Sequence, residues 1–213
     1  MNIDSLKYGN PTKEQEEKVK RDVGGLLKKA KEMGVIDDIL RQFPFPKNSS
    51  DVTENELMYL KKLTDSQDED DIKFLKLMEE DIHTFFEIVA NKLGIDVDRD
   101  DILKWTNDID PIKFYLKDQF NRPRPYQVSD YLGIELYPPI NTDANSASYP
   151  SGHTMDFLVI IHNLLKLNPE KKSVLNNLYK QIRDVRERSG LHYPSDTRGT
   201  ELIVQKLIQN KII

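Results

Sequence analysis

The chain has 213 residues, 38% hydrophobic and 31% charged, with 31 Lys and Arg against 36 Asp and Glu for a net charge of −5. That length suits one domain with a real core and leaves little for a second. The acidic balance argues against a broad nucleic-acid footprint, though a local basic cluster could still hold a small anion, and the absence of cysteine excludes disulfides, thiolate catalysis and cysteine-held metals.

In chain order, Met1 to Asn10 lacks a basic end followed by an apolar run, so no secretory signal is expected. Lys13 to Met33 reads as one charged amphipathic helix ending near Gly34, and residues 1–50 as an N-terminal helical extension, with packing on the bundle and a part in assembly both open. A Pro-containing break follows at Phe43 to Lys47, then a short helix from a Thr53 cap through Leu63. Asp68 to Leu93 reads as one long helix, with an acidic first turn suited to the helix dipole and Gly94 at its end. Its apolar positions Ile72, Leu75, Met78, Ile82, Phe85, Phe86 and Val89 form a core-facing stripe.

Asp98 to Phe120 is expected as a helix interrupted or kinked at Pro111, followed by an irregular stretch from Asn121 to Tyr149. Ser151 to Leu167, Pro169 to Ser189 and Ser195 to Ile212 read as three further helices. The apolar run Phe157 to Leu167 is too short for a bilayer, which needs about 20 apolar residues. The expectation is a single all-α domain over 1–213, a helical bundle with its motif-bearing core at about 100–210. It is read as soluble and cytoplasmic, without a membrane span or a nucleic-acid partner, its oligomeric state open.

Three blocks carry chemistry. Lys117 to Pro125 (KDQFNRPRP) brings two cations, Lys117 and Arg124, together where a helix gives way to loop. Arg offers a planar fork of donors and Lys a compact charge for an oxyanion; a solvated basic helix end is the plain alternative. Pro150 to Thr154 (PSGHT) marks a helix N-terminus, where free N–H groups and the dipole favour an anion, Ser151 can cap, Gly152 permits close approach and His153 sits in the first turn. An ordinary cap with an incidental histidine remains open there. Arg186 to Asp196 (RERSGLHYPSD) places a carboxylate four residues past His192, where it can accept the Nδ1 proton and leave Nε2 free. That spacing also suits a metal pair or a structural His–Asp contact. His162, nine residues past His153 and so roughly 180° around a helix, and His83 read as structural.

Taken together, the blocks resemble in order and spacing the signature of the phosphatidic acid phosphatase type 2 superfamily, which includes soluble class A bacterial acid phosphatases and vanadium haloperoxidases. Lys117, Arg124 and Pro125 match its first part, Pro150 to His153 its second, and Arg186, His192 and Asp196 its third. The one departure is Val185, where the family usually has serine; it bears on one hydrogen bond to the anion, not on the chemistry. The run Ser189 to Asp196 looks most like the acid phosphatase branch. The resemblance implies an all-α phosphatase, without metal or cofactor, that hydrolyses a small phosphorylated substrate or transfers its phosphoryl group to another acceptor, and binds vanadate as an inhibitor or phosphate mimic. It further implies His192 as nucleophile, Asp196 holding its ring and His153 as proton donor. Lys117, Arg124, Ser151, Gly152 and Arg186 would bind the phosphate. A haloperoxidase-like enzyme, a metal-dependent hydrolase and a non-catalytic phosphate-binding protein are the rival readings.

Overall fold

The computed structural model describes residues 2–139 and 144–213, and the described residues contain helices and no strand. The fold is all-α, as the helical periodicity requires. The N-terminal helix, however, forms in two pieces, α1 (Lys13–Lys20) and α2 (Leu26–Glu32). Gly25 turns the chain between them at φ +64, a left-handed conformation open to glycine without side-chain cost. The Asp22 carboxylate then accepts from the Leu27 and Lys28 N–H groups, tying the turn to α2. After α3 (Val35–Gln42), α4 (Asp51–Asp65) is capped by Ser50 rather than Thr53, through a 3.3 Å bond from the Thr53 N–H.

The long acidic helix is also two helices, α5 (Glu69–Glu80) and α6 (Ile82–Lys92). At the break, Asp81 adopts φ −154 and ψ 82 and accepts from the His83 and Thr84 N–H groups, a local bond that competes with the helix ladder. The apolar stripe runs through the break regardless, with Leu75, Met78, Ile82 and Phe86 all buried. That continuity explains why periodicity reads a single helix.

At Pro111, of the interruption or kink expected, the interruption is absent. α7 (Arg99–Phe120) is one continuous helix with Pro111 buried inside it. An interior proline costs about 3 kcal/mol, and the burial of Ile109, Ile112 and Leu116 on the same helix supplies the tertiary packing from which helices draw most of their stability. Asn121, at φ 49, ends α7. The stretch expected to be irregular contains α8 (Pro125–Ser129) and a 3₁₀ turn over Asp130–Leu132; its residues 140–143 lie outside the described residues. α9 (Gly152–Leu167) follows. The helix expected over Pro169 to Ser189 is a 3₁₀ turn, α10 (Lys172–Ile182) and α11 (Val185–Arg188), and α12 (Pro194–Gln209) completes the order.

α7 and α9 cross at the centre. On one side of them α5, α6 and α10 bury Met78, Phe86, Leu175 and Ile182 against Phe157, Ile160 and Leu164 of α9. On the other, α2, α3 and α12 bury Ala30, Ile36, Ile39 and Leu207 against Ile109, Ile112 and Val159. The first fifty residues thus contribute to the core. Three chain ends meet at one edge of the bundle: the last turns of α7, the start of α9 and the α11–α12 junction. The Thr200 hydroxyl joins the latter two, accepting from the Ser151 N–H at 2.8 Å and donating to the Asp196 carbonyl at 2.6 Å.

Candidate active site

Where those ends meet lies a cavity of about 180 Å³, walled by Lys117, Arg124, Gly152, His153, Arg186 and His192 together with Glu79, Lys113, Asp156 and residues 144–146. Blocks separated by tens of residues therefore share one wall. Asp196 and Ser151, both fully buried, stand behind it. The Ser151 hydroxyl, expected to touch phosphate, is occupied as the cap of α9: it accepts from the Thr154 N–H at 3.4 Å and the Thr154 hydroxyl at 2.9 Å. The structure does not bring Ser151 onto the wall; Gly152, which opens the helix, is there instead.

Local backbone geometry sets His192. Gly190 at φ +69 turns the chain after α11, and the Leu191 and His192 N–H groups both return to the Arg186 carbonyl at 3.2 Å. His192 Nδ1 faces Asp196 Oδ2 at 3.3 Å, and Nε2 faces Arg124 Nη1 at 2.8 Å. A guanidinium can only donate, so the Nε2 lone pair must point at Arg124 and the ring proton must sit on Nδ1, toward the carboxylate. Burial first, then the Arg124 charge, pushes the His192 pKa well below 6.5. The ring is a neutral base with its lone pair on the cavity side.

Asp196 keeps its charge through a partner that the sequence reading did not single out. Burial works against the carboxylate, but the Arg122 guanidinium, bonded to Oδ1 at 2.6 Å, leads the groups that outweigh it and hold the pKa below 3.8. The Ser148 hydroxyl and the Tyr193 N–H donate to Oδ2. Arg122 has no exposed surface and stacks 3.7 Å from the Tyr193 ring centroid, the planar contact a guanidinium makes well.

The cations are held in different ways. Lys117 donates to the Ala147 carbonyl, and burial followed by the Arg124 charge drives its pKa well below 10.5. Arg124 donates from Nε to the Ser146 carbonyl at 2.9 Å and from Nη1 to the Leu191 carbonyl at 3.0 Å. Arg186 is 3% exposed; its Nε has no hydrogen-bond partner among the described residues, and its Nη1 lies against the Glu79 carboxylate. Burial brings its pKa down to about 9. A buried donor left unmade is costly, so this arginine favours an incoming oxyanion. Lys113 is committed, reaching Asp156 at 2.8 Å and Asp110 at 2.6 Å.

His153, the second residue of α9, has Nε2 3.9 Å from Glu79. Burial first, then Lys113, Lys117 and Arg124, brings its pKa down to about 3. Of the two histidines read as structural, His83 bonds Thr106 across the α6–α7 contact at 3.0 Å, and His162 does not line the cavity. Val185 is buried in the apolar cluster of α5, α9 and α10. Among the described residues no group of three or more His, Asp or Glu side chains is placed to share a metal ion.

Sequence reading missed Arg122, Glu79 and the Lys113–Asp156–Asp110 group. Arg122 stands inside the first block, Lys113 one turn before Lys117 and Asp156 three residues after His153, so helical spacing could have found them. Glu79 lies on α5, far outside the blocks, among other acidic residues, and carries no such signal.

No family model matches the chain, and no curated protein does. Among solved structures it is similar to a transmembrane PAP2-type phosphatidylglycerolphosphate phosphatase from Bacillus subtilis, with a TM-score of 0.51 and 17% identity over 83% of this chain and 90% of that one. At that identity the likeness is one of fold. Among the described residues no helix is long and apolar enough to cross a membrane.

Proposed function

We propose that the chain is a metal-independent phosphatase of the phosphatidic acid phosphatase type 2 superfamily, nearest its acid phosphatase branch, acting on a small phosphomonoester through a phosphohistidine. One observation carries this reading: a neutral His192, its Nδ1 proton turned to Asp196, accepts at Nε2 from Arg124 on the wall of a cavity that Lys117 and Arg186 also line, so that an anion drawing Arg124 to itself frees the lone pair beside phosphorus. The similar fold of a PAP2-type phosphatase supports it.

In the proposed reaction the phosphoryl group sits among the three cations and the N-terminus of α9, which balance charge on the non-bridging oxygens. Arg124 transfers its Nη1 hydrogen bond from His192 to a phosphate oxygen, and the freed Nε2 lone pair forms the N–P bond as the P–O bond to the leaving alcohol breaks. His153 gives that oxygen a proton. Water then attacks phosphorus, His153 takes its proton, and the N–P bond breaks to release inorganic phosphate. Splitting the displacement replaces one difficult step with two easier ones. Asp196 stabilises the imidazolium as it forms at His192.

Burial first, and then the charges of Lys113, Lys117 and Arg124, depress His153. An arriving phosphate offsets the cationic share of that depression and offers the ring a negative partner, so substrate binding itself moves the histidine toward the protonated form that the first step needs.

A panel of sugar, nucleotide, inositol and lipid phosphates, run on wild type and His192→Ala with vanadate and with a chelator, tests the reading. Turnover abolished in the variant, blocked by vanadate and indifferent to chelation is expected. Activity lost to a chelator and restored by a divalent metal contradicts it.

A further inference from the structure

One carboxylate in this largely basic cavity has as its cation the very arginine that the phosphatase reading gives to the phosphate. Two acids line the wall. Asp156 is satisfied by Lys113, which reaches both of its oxygens at 2.8 and 2.9 Å. Glu79, in the last turn of α5, lies against Arg186 Nη1 and 3.9 Å from His153 Nε2, with its side chain 26% exposed. Nothing about α5 calls for an acid there. The end of a helix is the negative pole of its dipole, and α5 has no basic residue in its last turn. Glu79 is thus poorly placed for its helix and well placed for the cavity.

We propose that Glu79 sets substrate class, admitting phosphomonoesters whose leaving side is neutral or cationic and turning away diphosphates. The inference rests on the phosphatase reading above, in which Arg186 takes up the transferred phosphate and His153 marks the side from which the alcohol departs. Once phosphate holds Arg186, the Glu79 carboxylate is left facing the leaving group. A second phosphate attached there would bring its charge beside that carboxylate. Lys113, the remaining lining cation, is already shared between Asp156 and Asp110. Like charges brought together in a partly buried site repel far more than in water. A hydroxyl or ammonium on the leaving group instead finds a hydrogen-bond acceptor in Glu79, so the same carboxylate both attracts one class and repels the other.

The test compares kcat/KM for a phosphomonoester of a neutral alcohol with kcat/KM for inorganic pyrophosphate, in wild type, Glu79→Gln and Glu79→Asp. General damage to Arg186 lowers both substrates and cancels in the ratio; damage to His153 does not, because an alcohol needs its proton more than a departing phosphate does, so the ratio is read in binding as well as in turnover. The expected result is a monoester-to-pyrophosphate ratio that drops about tenfold in Glu79→Gln, the effect of one pKa unit of charge interaction, and stays near wild type in Glu79→Asp. Calorimetric binding of inorganic phosphate against pyrophosphate, which needs no proton from His153, should show the same tenfold change in Glu79→Gln; a change in the kinetic ratio alone overturns the inference. A ratio that moves less than threefold in Glu79→Gln overturns the inference while leaving the phosphatase reading intact. Wild-type protein that neither hydrolyses the monoester nor binds inorganic phosphate overturns both.

Discussion

Arg122 Nη1 donates to Asp196 Oδ1 at 2.6 Å where neither side chain has any exposed surface. This pair stands one step behind the cavity, and through Oδ2 of the same carboxylate it fixes His192. Removing one partner of a buried pair leaves the other charge uncompensated, at about 3–5 kcal/mol. Arg122→Ala should therefore lower unfolding stability by roughly that amount in urea titration. A loss below about 1 kcal/mol, the range of exposed pairs, would show that the pair is not what holds the site.

The same pair has a signature in pH. The folded pKa of Asp196 lies below 3.8, so its contribution to stability is present above the unfolded value and is lost as pH falls through the folded one. In wild type, stability should rise with pH across the range just below 3.8. In Arg122→Ala that slope should flatten or reverse, because burial alone raises a carboxyl pKa. Parallel acid-unfolding curves for the two proteins would contradict this.

Asp196→Asn keeps the shape but offers an amide that can donate to Nδ1 and drive the ring proton to Nε2. The lone pair then leaves the cavity. A fall in kcat on the order of 10³–10⁴ is expected, with the fold retained by circular dichroism. A fall under tenfold would mean that the tautomer is not set by Asp196.

His153 should titrate near 3 in the free protein and at a higher pH with vanadate bound, since an anion offsets Lys113, Lys117 and Arg124. NMR of the ring protons reads both states. The folded pKa lies below the unfolded one, so the unfolded chain binds more protons between about 3 and 6.5 and folding weakens as pH falls through that window. His153→Ala should shallow that decline. A ring titrating near 6.5 in the free protein would remove the electrostatic account of the cavity.

The Ser151 hydroxyl caps α9 and is absent from the cavity wall. Ser151→Ala should cost about 1 kcal/mol of stability, the usual cost of losing a cap, and leave KM for a phosphomonoester within a few-fold of wild type. A large rise in KM at unchanged stability would put the hydroxyl back on the phosphate.

What the sequence conveyed well was chemistry held in short range. His192 and Asp196 lie four residues apart around a helix start, and Gly152 and His153 are adjacent at another, so each pair is brought together locally. Arg122 was overlooked beside Arg124 because two arginines in one proline-bound run look equivalent, yet one lines the cavity and the other backs a buried carboxylate. The breaks at Gly25 and Asp81 were invisible because the apolar stripe continues through them. The interruption expected at Pro111 does not occur, since the local cost of the proline is outweighed by packing on both sides of α7. Glu79 shows what spacing cannot convey: it reaches the site by the packing of α5 against α11, which no local pattern encodes.

The most direct test of the central claim is to quench the enzyme in alkali during turnover of a phosphomonoester and map the attached phosphoryl group by mass spectrometry. Phosphorus on the peptide holding His192, absent from His192→Ala and accumulating in a variant of His153, is the expected result. Turnover that persists in His192→Ala, or a phosphoryl group trapped on any other side chain, would contradict it.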